Sequence, residues 1–486
     1  MQQFDLLVIG GGINGAGVAR DAAGRGLSVL LAEKSDLAGA TSSWSSKLIH
    51  GGLRYLEHYE FRLVAEALAE REVLLRIAAH LVWPARFVMP HVPELRPRWM
   101  IRTGLFLYDN LGRRTTLPGS QSVRLDAPPY ASGLKPGLRH GFIYSDCRVD
   151  DARLVVVNAM DARARGAQVR TRTACTTARR EAGRWRVQLS DGSEALARAV
   201  VNAAGPWVKG VLNDNLAQPS ADNVLLVKGS HIVLPRLYEG EHAFILQNDD
   251  RRVVFMIPFE AGTTLVGTTD VPFEGEPASA AASDEEVAYL CRAVNRYLAK
   301  PVTPADVLWR FAGVRPLYDD GKSDPSEVTR DYTLRVDDEA GAAPVVSVFG
   351  GKITTYRRLA EQVLARLQPY FPGMRAPWTE RAPLPGSDLG GATLPQAFAQ
   401  LRAHYARLDE GLLRGVFQRH GSLAAQVLGD GELGEHYGAG LCEREVRYLV
   451  EREWAVSAED VLWRRSKAGL QMTPAQRERV AARLGR

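Results

Sequence analysis

Cysteine is scarce in this sequence and follows no pattern. The 486 residues contain four cysteines, Cys147, Cys175, Cys291 and Cys442, and no two of them form a C-x-x-C pair. Structural zinc sites and disulfide frameworks both need clustered or regularly spaced cysteines. The sequence therefore predicts neither a metal centre nor a disulfide network, and scattered thiols are typical of a protein kept in a reducing cytosol.

Long apolar runs are also absent. A helix that spans a bilayer needs about 18 or more consecutive apolar residues, and no such stretch occurs. The N-terminal segment MQQFDLLVIGGG lacks the basic region of a secretory signal and has the pattern of a β-strand. We therefore expect any contact with a membrane to be peripheral.

Neither sign of charge dominates. The chain has 61 Lys and Arg residues against 56 Asp and Glu residues, a formal net charge of +5. This mild excess suits an anionic substrate or an anionic membrane surface, and we expect no nucleic-acid partner.

The length is too great for one compact core, so it predicts two or three domains.

Glycine is concentrated near the N-terminus, in the segment VIGGGINGAG. Gly10, Gly12 and Gly15 form G-x-G-x-x-G between an apolar strand, FDLLVIG, and a predicted helix. In a dinucleotide-binding βαβ unit these glycines make the tight turn, admit the pyrophosphate and let the helix pack on the strand. Glu33 ends the next strand, LSVLLAE, where an acid binds a ribose 2′-OH. This acid disfavours NADP but leaves NAD and FAD open.

A polar loop, SSWSSKLIHGGLRY at residues 42–55, follows this unit. A nicotinamide enzyme seldom needs such a loop here, whereas FAD has a ribityl chain and an isoalloxazine that need hydrogen-bond donors. The loop therefore favours FAD. The donors that we expect to face the flavin are the side chains and backbone of Ser42, Ser43, Ser46, Lys47, His50 and Gly51.

The order of apolar segments predicts an α/β protein with a Rossmann-like FAD-binding domain built from discontinuous segments. An antiparallel β substrate domain and an all-helical C-terminal domain complete the prediction. The predicted FAD-binding segments are 1–83, 146–210 and 336–370; the other units are a cap segment at 84–145, the β-rich substrate domain at 211–335, a Pro/Gly-rich linker at 371–391 and the helical domain at 392–486.

Long motifs along the whole chain resemble the flavin-dependent glycerol-3-phosphate dehydrogenases, within the wider glycine oxidase and D-amino-acid oxidase group. The matching blocks appear in the family's order and include ATSSWSSKLIHGGLRYLEHYEF, YSDCRVDDARLV, VNAAGPWV, KGSHIVLP, VGTTDV, GVRPLYDD, TRDYTL, SVFGGKITTYRRLAE and LWRRSKAGL. One departure is Ala204 in VNAAGPW, where the family often has Thr, which removes a hydroxyl expected near the flavin.

The resemblance implies a reaction and a location. In this family FAD oxidises sn-glycerol 3-phosphate by hydride transfer from C2, giving dihydroxyacetone phosphate, and the electrons pass to a membrane quinone. The implied enzyme is a cytoplasmic homodimer bound peripherally to the cytoplasmic face of the inner membrane. The segment RPRWMIRTGLFLYDNLGRR (96–114) mixes basic and large apolar residues, which is typical of a surface-lying membrane segment or of a buried helix with a charged rim.

The resemblance also assigns substrate and catalytic roles. Arg315 and Arg330 are the predicted phosphate clamp, because guanidinium groups bind phosphate bidentately. Arg54 bridges the phosphate and flavin sites, and Tyr55 contacts the substrate. His231 is the predicted base for the hydroxyl proton, with His50 as the competitor.

Lys352 follows a buried strand in SVFGGKITTYR, at the start of a predicted helix. A cation there would stabilise the negative charge of reduced flavin. We group His231, Arg54 and Lys352 as the catalytic residues. Further cofactor contacts are predicted for Asn14, Thr41, Leu53, Ala204, Gly205, Trp207, Asp270, Gly351 and Thr354.

Three other functions remain open at this point. A glycerol-3-phosphate oxidase that reduces O2 would share every residue above. Another member of the flavin amine and hydroxyl oxidase group would need one carboxylate-binding arginine and an apolar pocket. A nucleotide-binding scaffold without turnover would carry no flavin spectrum.

Overall fold

A computed structural model describes residues 1–92, 94–112, 116–220, 222–250, 252–319 and 331–485 of the chain. The described chain folds into two large sheets with helices around them, followed by a helical C-terminal unit. The predicted fold class is confirmed.

The strands occur in groups that alternate between the two large sheets along the chain, except for the last two, which form a separate two-stranded sheet in the C-terminal unit. They are β1 (Gln2–Ile9), β2 (Val29–Ala32), β3 (Leu48–Ile49), β4 (Val82–Pro90), β5 (Gln121–Arg124), β6 (His140–Val149), β7 (Gln168–Arg170), β8 (Cys175–Glu181), β9 (Arg184–Leu189), β10 (Glu194–Asn202), β11 (Val224–Pro235), β12 (Ala243–Gln247), β13 (Val253–Phe259), β14 (Thr263–Gly267), β15 (Val271–Pro272), β16 (Trp309–Tyr318), β17 (Thr333–Asp337), β18 (Val345–Phe349), β19 (His436–Gly438) and β20 (Leu441–Cys442).

The helices lie against the first sheet, around the second sheet and in the C-terminal unit. They are α1 (Ile13–Gly24), α2 (Phe61–Ile77), α3 (Arg98–Leu111), α4 (Asp151–Ala164), α5 (Val208–Gly210), α6 (Asp284–Asn295), α7 (Tyr356–Leu367), α8 (Leu394–His404), α9 (Glu410–His420), α10 (Ala424–Leu428), α11 (Glu443–Glu453) and α12 (Pro474–Arg483).

The first sheet is the nucleotide-binding sheet. Its strand order is β17-β18-β10-β1-β2-β7, with β18, β10, β1, β2 and β7 parallel. Helix α1 packs between α4 and α7 on one face, and the β8–β9 hairpin extends the sheet from β10. Leu6, Leu7 and Val8 of β1 are fully buried, as expected for a strand covered on both faces.

The second sheet joins segments that are distant in sequence. Its order is β15-β11-β14-β13-β12-β4-β6-β3, with β16 paired to β11 and β5 to β6. The pairs are antiparallel except for β12 with β4, which is parallel and fuses the predicted segments 84–145 and 211–335 into one sheet. The short strand β3, from the polar loop, pairs with β6 and ties that loop to this sheet. Strand β17 pairs with β18 of the first sheet and so crosses the predicted boundary at residue 335.

Two local signals in the second half of the chain, the spacing of Ser283 and Glu286 as a capping box and the hairpin pattern RRVVFMIP–FEAG–TTLVGTTD, predict elements that the structure confirms. Ser283 caps α6 and Glu286 completes the capping box, with both reciprocal hydrogen bonds present. The predicted hairpin is formed by β13 and β14, which are antiparallel and joined by a short turn. Both features position the wall of the cavity described below, because α6 packs against β11 and β13.

Helix α3 occupies most of residues 96–114 and has one buried side and one exposed apolar side, as far as the structure describes that segment. Its inner side buries Ile101, Leu105 and Tyr108 in the core of the second sheet. Its outer side presents Trp99, 69% exposed, and Phe106, 60% exposed. Among the described residues, no helix is both long and apolar enough to cross a membrane.

The C-terminal helical unit is held on the first domain by buried ion pairs. Arg153 of α4 pairs with Glu453, whose carboxylate is fully buried. Within the unit, Glu445 accepts hydrogen bonds from Arg419 at 2.6 Å and lies 2.9 Å from Nε2 of His420. Burial alone would raise the pKa of Glu445, but the charge of Arg419 and hydrogen bonds from His420 and Arg419 lower it to about 2.

We expect this ion cluster to make the helical unit sensitive to acid. A carboxyl whose pKa is depressed in the folded state stabilises it above the unfolded pKa of about 4.5, and this contribution is lost as the pH falls towards 2. For Glu445 the contribution near pH 7 is about 3 kcal/mol. Urea unfolding measured between pH 7 and pH 3 should show it.

The control for this prediction is Glu445→Gln, which has no proton to bind in that range. The stability of the variant should be lower at pH 7, and its difference from the wild type should shrink as the pH falls. A constant difference across the range would contradict the assignment.

Candidate functional site

The glycine turn lies where β1 meets α1. Gly10 has a φ of +109°, and a Cβ there would lie 2.6 Å from the carbonyl oxygen of Ala203. At Gly15 a Cβ would lie 1.8 Å from the Gly10 oxygen, so only glycine allows this packing of helix on strand. Gly12 is the N-cap residue of α1 and lines an adjacent cavity, so the N-terminus of α1 borders that cavity. The turn has the backbone shape that a pyrophosphate needs.

Glu33 lies beside this turn, at the end of β2. One carboxylate oxygen accepts the Gly11 N–H at 2.5 Å, and the other accepts the N–H and hydroxyl of Ser35 at 2.7 and 2.9 Å. The side chain also lines the cavity. Glu33 therefore braces the turn while presenting a carboxylate to the position expected for a ribose.

The cavity has a volume of about 580 Å³ and runs from the glycine turn to the second sheet. Its walls come from both sheets and from the polar loop. Of the predicted site residues, those that line it are Gly10, Gly12, Asn14, Glu33, Thr41, Ser42, Ser46, His50, Leu53, Arg54, Tyr55, Ala204, Gly205, Trp207, His231, Asp270, Arg315, Gly351, Lys352 and Thr354.

The residues present fit a flavin dinucleotide. The buried Oδ1 of Asn14 has no hydrogen-bond partner within the described part of the chain, although its amide nitrogen donates to the Gly350 carbonyl at 3.2 Å. A Cβ at Gly351, where φ is +101°, would lie 2.8 Å from that amide. The glycine turns at 10–12 and 350–351 thus form a cradle at one level, with an unsatisfied polar atom aimed into it.

The polar loop divides its side chains between the cavity and the protein interior. Ser42 accepts the N–H of Ile13 in the first turn of α1 at 3.0 Å, and Ser46 lies 2.9 Å from Nε2 of His231. Lys47 points the other way, because its ammonium donates to both carboxylate oxygens of Asp151 at 2.9 Å.

Four predicted cofactor residues are absent from the cavity wall. The carbonyl of Ser43 accepts a hydrogen bond from Lys47 at 2.8 Å, and the N–H of Gly51 donates to the hydroxyl of Tyr108 at 2.9 Å. Gly15 acts through helix packing, as expected for the third glycine. The structure gives Ser43, Lys47 and Gly51 supporting positions behind the wall, since buried partners already satisfy their polar groups.

Cationic side chains collect at the end of the cavity formed by the second sheet. Arg315 of β16 is paired with Asp270 and donates to the Thr268 hydroxyl at 2.9 Å. Arg54 lies 3.9 Å from the other oxygen of Asp270. The two guanidinium groups therefore converge on one carboxylate, at a place where a small anion would meet both. Arg330, the other half of the predicted clamp, lies outside the described residues.

His231 occupies the wall next to these arginines. It lies on β11, is 2% exposed and stacks on the ring of Phe311 with centroids 4.9 Å apart. Burial, together with the charges of Arg315 and Lys47, holds the pKa of His231 well below its usual value. The imidazole is therefore neutral near pH 7, with Ser46 at its Nε2.

Lys352 lies across the cavity at the turn before α7. Its ammonium is 3.7 Å from the centroid of the Tyr55 ring, a cation–π contact. Burial and the charge of Lys352 lower the pKa of His50 to about 3, so this imidazole is also neutral. Thr354 lies within 3.4 Å of the His50 backbone, donating to its carbonyl and accepting its N–H.

At the end of the cavity near Glu33, a cation–π pair lies that was not predicted from the sequence. The ammonium of Lys34 lies 3.5 Å from the centroid of the Trp207 ring, and the indole N–H donates to Glu276 at 2.6 Å. Trp207 was predicted from its motif, but Lys34 carries no motif signal beyond its position after Glu33. Ala204 lies beside this pair on the cavity wall.

Other wall residues were also missed. Trp44, Thr268 and Phe255 line the cavity, and each lies within or next to a quoted motif or predicted strand whose side-chain direction was unknown. Strand alternation relates Phe255 to Val253, because the two residues are two positions apart on β13 and both line the cavity.

Two family profiles match the chain. The FAD dependent oxidoreductase family matches residues 5–357, and the C-terminal domain of alpha-glycerophosphate oxidase matches residues 377–483. The first match covers the two sheets and the whole cavity wall, whereas the second covers the helical unit.

Individual relatives and a solved structure agree with these matches. The glycerol-3-phosphate dehydrogenase of Pseudomonas aeruginosa is 55% identical over 485 residues, covering 98% of this chain and 94% of that protein. The D-erythritol 1-phosphate dehydrogenase of Brucella abortus is 52% identical, covering 97% and 96%. The glycerol-3-phosphate dehydrogenase of Bacillus halodurans, solved in complex with FAD, has a TM-score of 0.74 at 26% identity and covers 99% of this chain and 94% of that chain.

The cradle and the comparisons lead to one assignment. The glycine turns, the bracing carboxylate and the unsatisfied Asn14 oxygen fit a flavin dinucleotide, and the matching solved structure contains FAD. FAD is therefore the cofactor, and the chain belongs to the FAD-dependent oxidoreductases, in the family of the glycerol-3-phosphate dehydrogenases.

Proposed function

We propose that this protein oxidises sn-glycerol 3-phosphate to dihydroxyacetone phosphate, with hydride transfer from C2 to FAD, and passes the electrons to a membrane quinone. The observation that carries the proposal is the convergence of Arg54 and Arg315 beside a buried, neutral His231 at one end of the FAD cavity. The identities of the relatives support the substrate class.

The arginine pair serves as the phosphate site. A phosphate dianion is bound best by planar guanidinium groups with several donors. Asp270 holds Arg54 and Arg315 in place in the described structure and neutralises one of their two charges. The phosphate dianion carries two negative charges and so more than balances the one positive charge that remains, which leaves neither guanidinium group uncompensated.

His231 accepts the proton of the substrate hydroxyl. A neutral imidazole is the protonation state that a base needs, but a strongly depressed pKa makes it a weak base. The charge of Arg315 is one cause of that depression. Binding of a phosphate beside Arg315 offsets this charge and raises the pKa of His231. Substrate binding thus increases the basicity of the group that has to act on it.

Lys352 stabilises the product state of the cofactor. When bound, FAD supplies the hydride acceptor, and its reduced ring carries added negative charge. The Lys352 ammonium lies at a short turn that leads into α7, where backbone N–H groups add to the positive field. Tyr55, against the same ammonium, restricts its position.

Two variants of this function are favoured by specific matches. The relative named D-erythritol 1-phosphate dehydrogenase favours a longer polyol phosphate as an alternative substrate. The C-terminal match to alpha-glycerophosphate oxidase favours O2 as an alternative acceptor. Both keep the arginine pair and His231 in the roles given above.

Anaerobic titration of the holoenzyme with glycerol 3-phosphate tests the substrate. We expect the visible flavin bands to bleach, and Arg315→Ala to retain FAD while its apparent affinity for substrate falls at least about a hundredfold, as for loss of a charge-assisted bidentate contact of about 3 kcal/mol. Glycerol and D-erythritol 1-phosphate serve as the comparison ligands.

The matched control is Arg310→Ala, on the same strand but paired with Asp284 away from the cavity wall. Its titration should be that of the wild type. If D-erythritol 1-phosphate alone bleached the flavin, it would be the substrate in place of glycerol 3-phosphate. If Arg315→Ala bound glycerol 3-phosphate as tightly as the wild type, Arg315 would not belong to the phosphate site.

His231→Asn provides a separate test of the base. We expect flavin content and substrate affinity close to the wild type, while the rate of flavin reduction falls by about 10²–10⁴-fold, the usual contribution of a general base. Stopped-flow measurement of the reductive half-reaction across pH gives the answer. The wild-type rate should rise with pH through the pKa of the substrate-bound histidine, and a variant that keeps this pH profile would exclude His231 as the base.

We also propose that the protein docks peripherally on the cytoplasmic face of the inner membrane through α3. Trp99 and Phe106 are joined by other exposed apolar side chains, Met100 and Leu107. Arg96, just before the helix, is paired with Glu57 near the exposed Tyr59, which extends the surface towards α2. An apolar face with nearby cations suits an anionic lipid surface.

Vesicle binding tests this surface. In Trp99→Ser/Phe106→Ser we expect at least a tenfold weaker binding to vesicles that contain phosphatidylglycerol, since each large apolar side chain contributes about 1.5–3 kcal/mol when buried. Turnover with a soluble acceptor should not change. Val450→Ser, at an exposed valine on α11, is the control, and equal vesicle binding by all three proteins would refute the docking surface.

The homodimer that the resemblance implies stays a prediction, to be checked by the mass of the purified protein.

A further inference from the structure

The helical unit contacts the loop that follows β2 through a π-helical turn, Asp460–Arg465, and this loop borders the cofactor end of the cavity. Two consecutive arginines of this turn bind Asp36, in the loop that follows β2. Arg464 donates to Asp36 at 2.6 Å, and Arg465 donates to both of its carboxylate oxygens at 2.6 and 2.8 Å. All three side chains are buried, and that of Arg465 is fully buried.

The loop that contains Asp36 is hydrogen-bonded directly to the glycine turn. Before Asp36, Glu33 accepts the N–H of Gly11 at 2.5 Å. After it, Ala38 donates its N–H to the Gly11 carbonyl at 3.1 Å. Both polar groups of the Gly11 backbone are therefore satisfied by this loop, and Gly39 further along it lines the cavity.

A second contact links the same turn to the same loop. Asp460 accepts a hydrogen bond from Arg172 at 2.5 Å and another from Arg464 at 2.5 Å. The backbone N–H of Arg172 donates in turn to the carbonyl of Ser35 at 2.8 Å. The loop is thus held by a side-chain contact at Asp36 and by a backbone contact one residue earlier.

We propose that the turn Asp460–Arg465 positions the loop of Asp36 for FAD, so that the helical unit sets the affinity for the cofactor. Arg464 and Arg465 share the Asp36 carboxylate, although Asp460 also pairs with Arg464 and Glu453 lies 3.9 Å from Arg465. Removing one charge from such a buried ion network is costly. The loop is therefore ordered before FAD binds, and binding does not have to bear that conformational entropy. This inference concerns cofactor affinity and does not depend on the substrate or the electron acceptor.

The test measures the FAD dissociation constant of the diluted holoenzyme from the recovery of free flavin fluorescence. Asp36→Asn and Arg465→Gln should each raise it at least about tenfold, and the double variant should be no weaker than the weaker single variant, because both act through one contact. Arg465→Lys, which keeps the charge but loses the bidentate geometry, should lie between. With saturating FAD, the KM for substrate should not change.

The matched control is Lys467→Met. It removes another buried ion pair of the helical unit, with Asp150 of the first domain at 2.6 Å, and neither residue lines the cavity. We expect this control to lower the unfolding temperature without changing the FAD dissociation constant. Equal FAD loss in Lys467→Met would show that general docking of the unit is responsible, and unchanged FAD affinity in Asp36→Asn and Arg465→Gln would overturn the proposal.

Discussion

The buried ion pair between Lys47 and Asp151 is the interaction on which the site depends. Lys47 has a φ of +56° and sits in the middle of the polar loop, while Asp151 begins α4 of the first sheet. Asp151 also accepts the hydroxyl of Ser45 at 2.7 Å. Removing one partner of a buried pair costs about 3–5 kcal/mol, so the loop is held firmly against α4.

Because the ion pair fixes its centre, the polar loop can contact the elements of both large sheets. Ser42 satisfies the first turn of α1 on one side, and Ser46 reaches His231 of the second sheet on the other. Thr41 donates to the carbonyl of Val314 at 2.6 Å, next to Arg315. One ion pair therefore sets the distance between the glycine turn and the cationic end of the cavity, which is the distance that a bound flavin has to span.

The charges around the cavity follow a consistent pattern. Near the second sheet, Arg54 and Arg315 flank the carboxylate of Asp270, and the buried imidazoles of His50 and His231 remain neutral. At the glycine turn, Glu33 and the N-terminus of α1 form the polar surroundings. The cavity thus separates a region suited to a nucleotide from a region suited to a small anion, and the polar loop connects the two.

Local patterns allowed much of this architecture to be predicted. The glycine spacing and Glu33 identify the βαβ unit, and Ser283 with Glu286 identifies the start of α6, because each signal acts over a few residues. Arg54, Arg315 and His231 were identified by motif resemblance, and the structure brings these three side chains together at one end of the cavity. The place of Lys34 in the cavity wall and the side-chain directions of Trp44 and Phe255 were not predicted, because contacts between distant segments leave no short-range sequence pattern.

The sequence by itself thus determined the type of fold, the cofactor class and the residue types available for chemistry. Tertiary structure alone decided that Lys47 points away from the cavity, towards Asp151. It also placed segments 84–145 and 211–335 in one sheet and brought Arg464 and Arg465 into hydrogen-bonding contact with Asp36. It also decided that His231 is neutral, because burial and the charge of Arg315 act on it through space. Long-range contacts and desolvation arise only when the chain is folded, whereas turns, caps and strand patterns are properties of neighbouring residues.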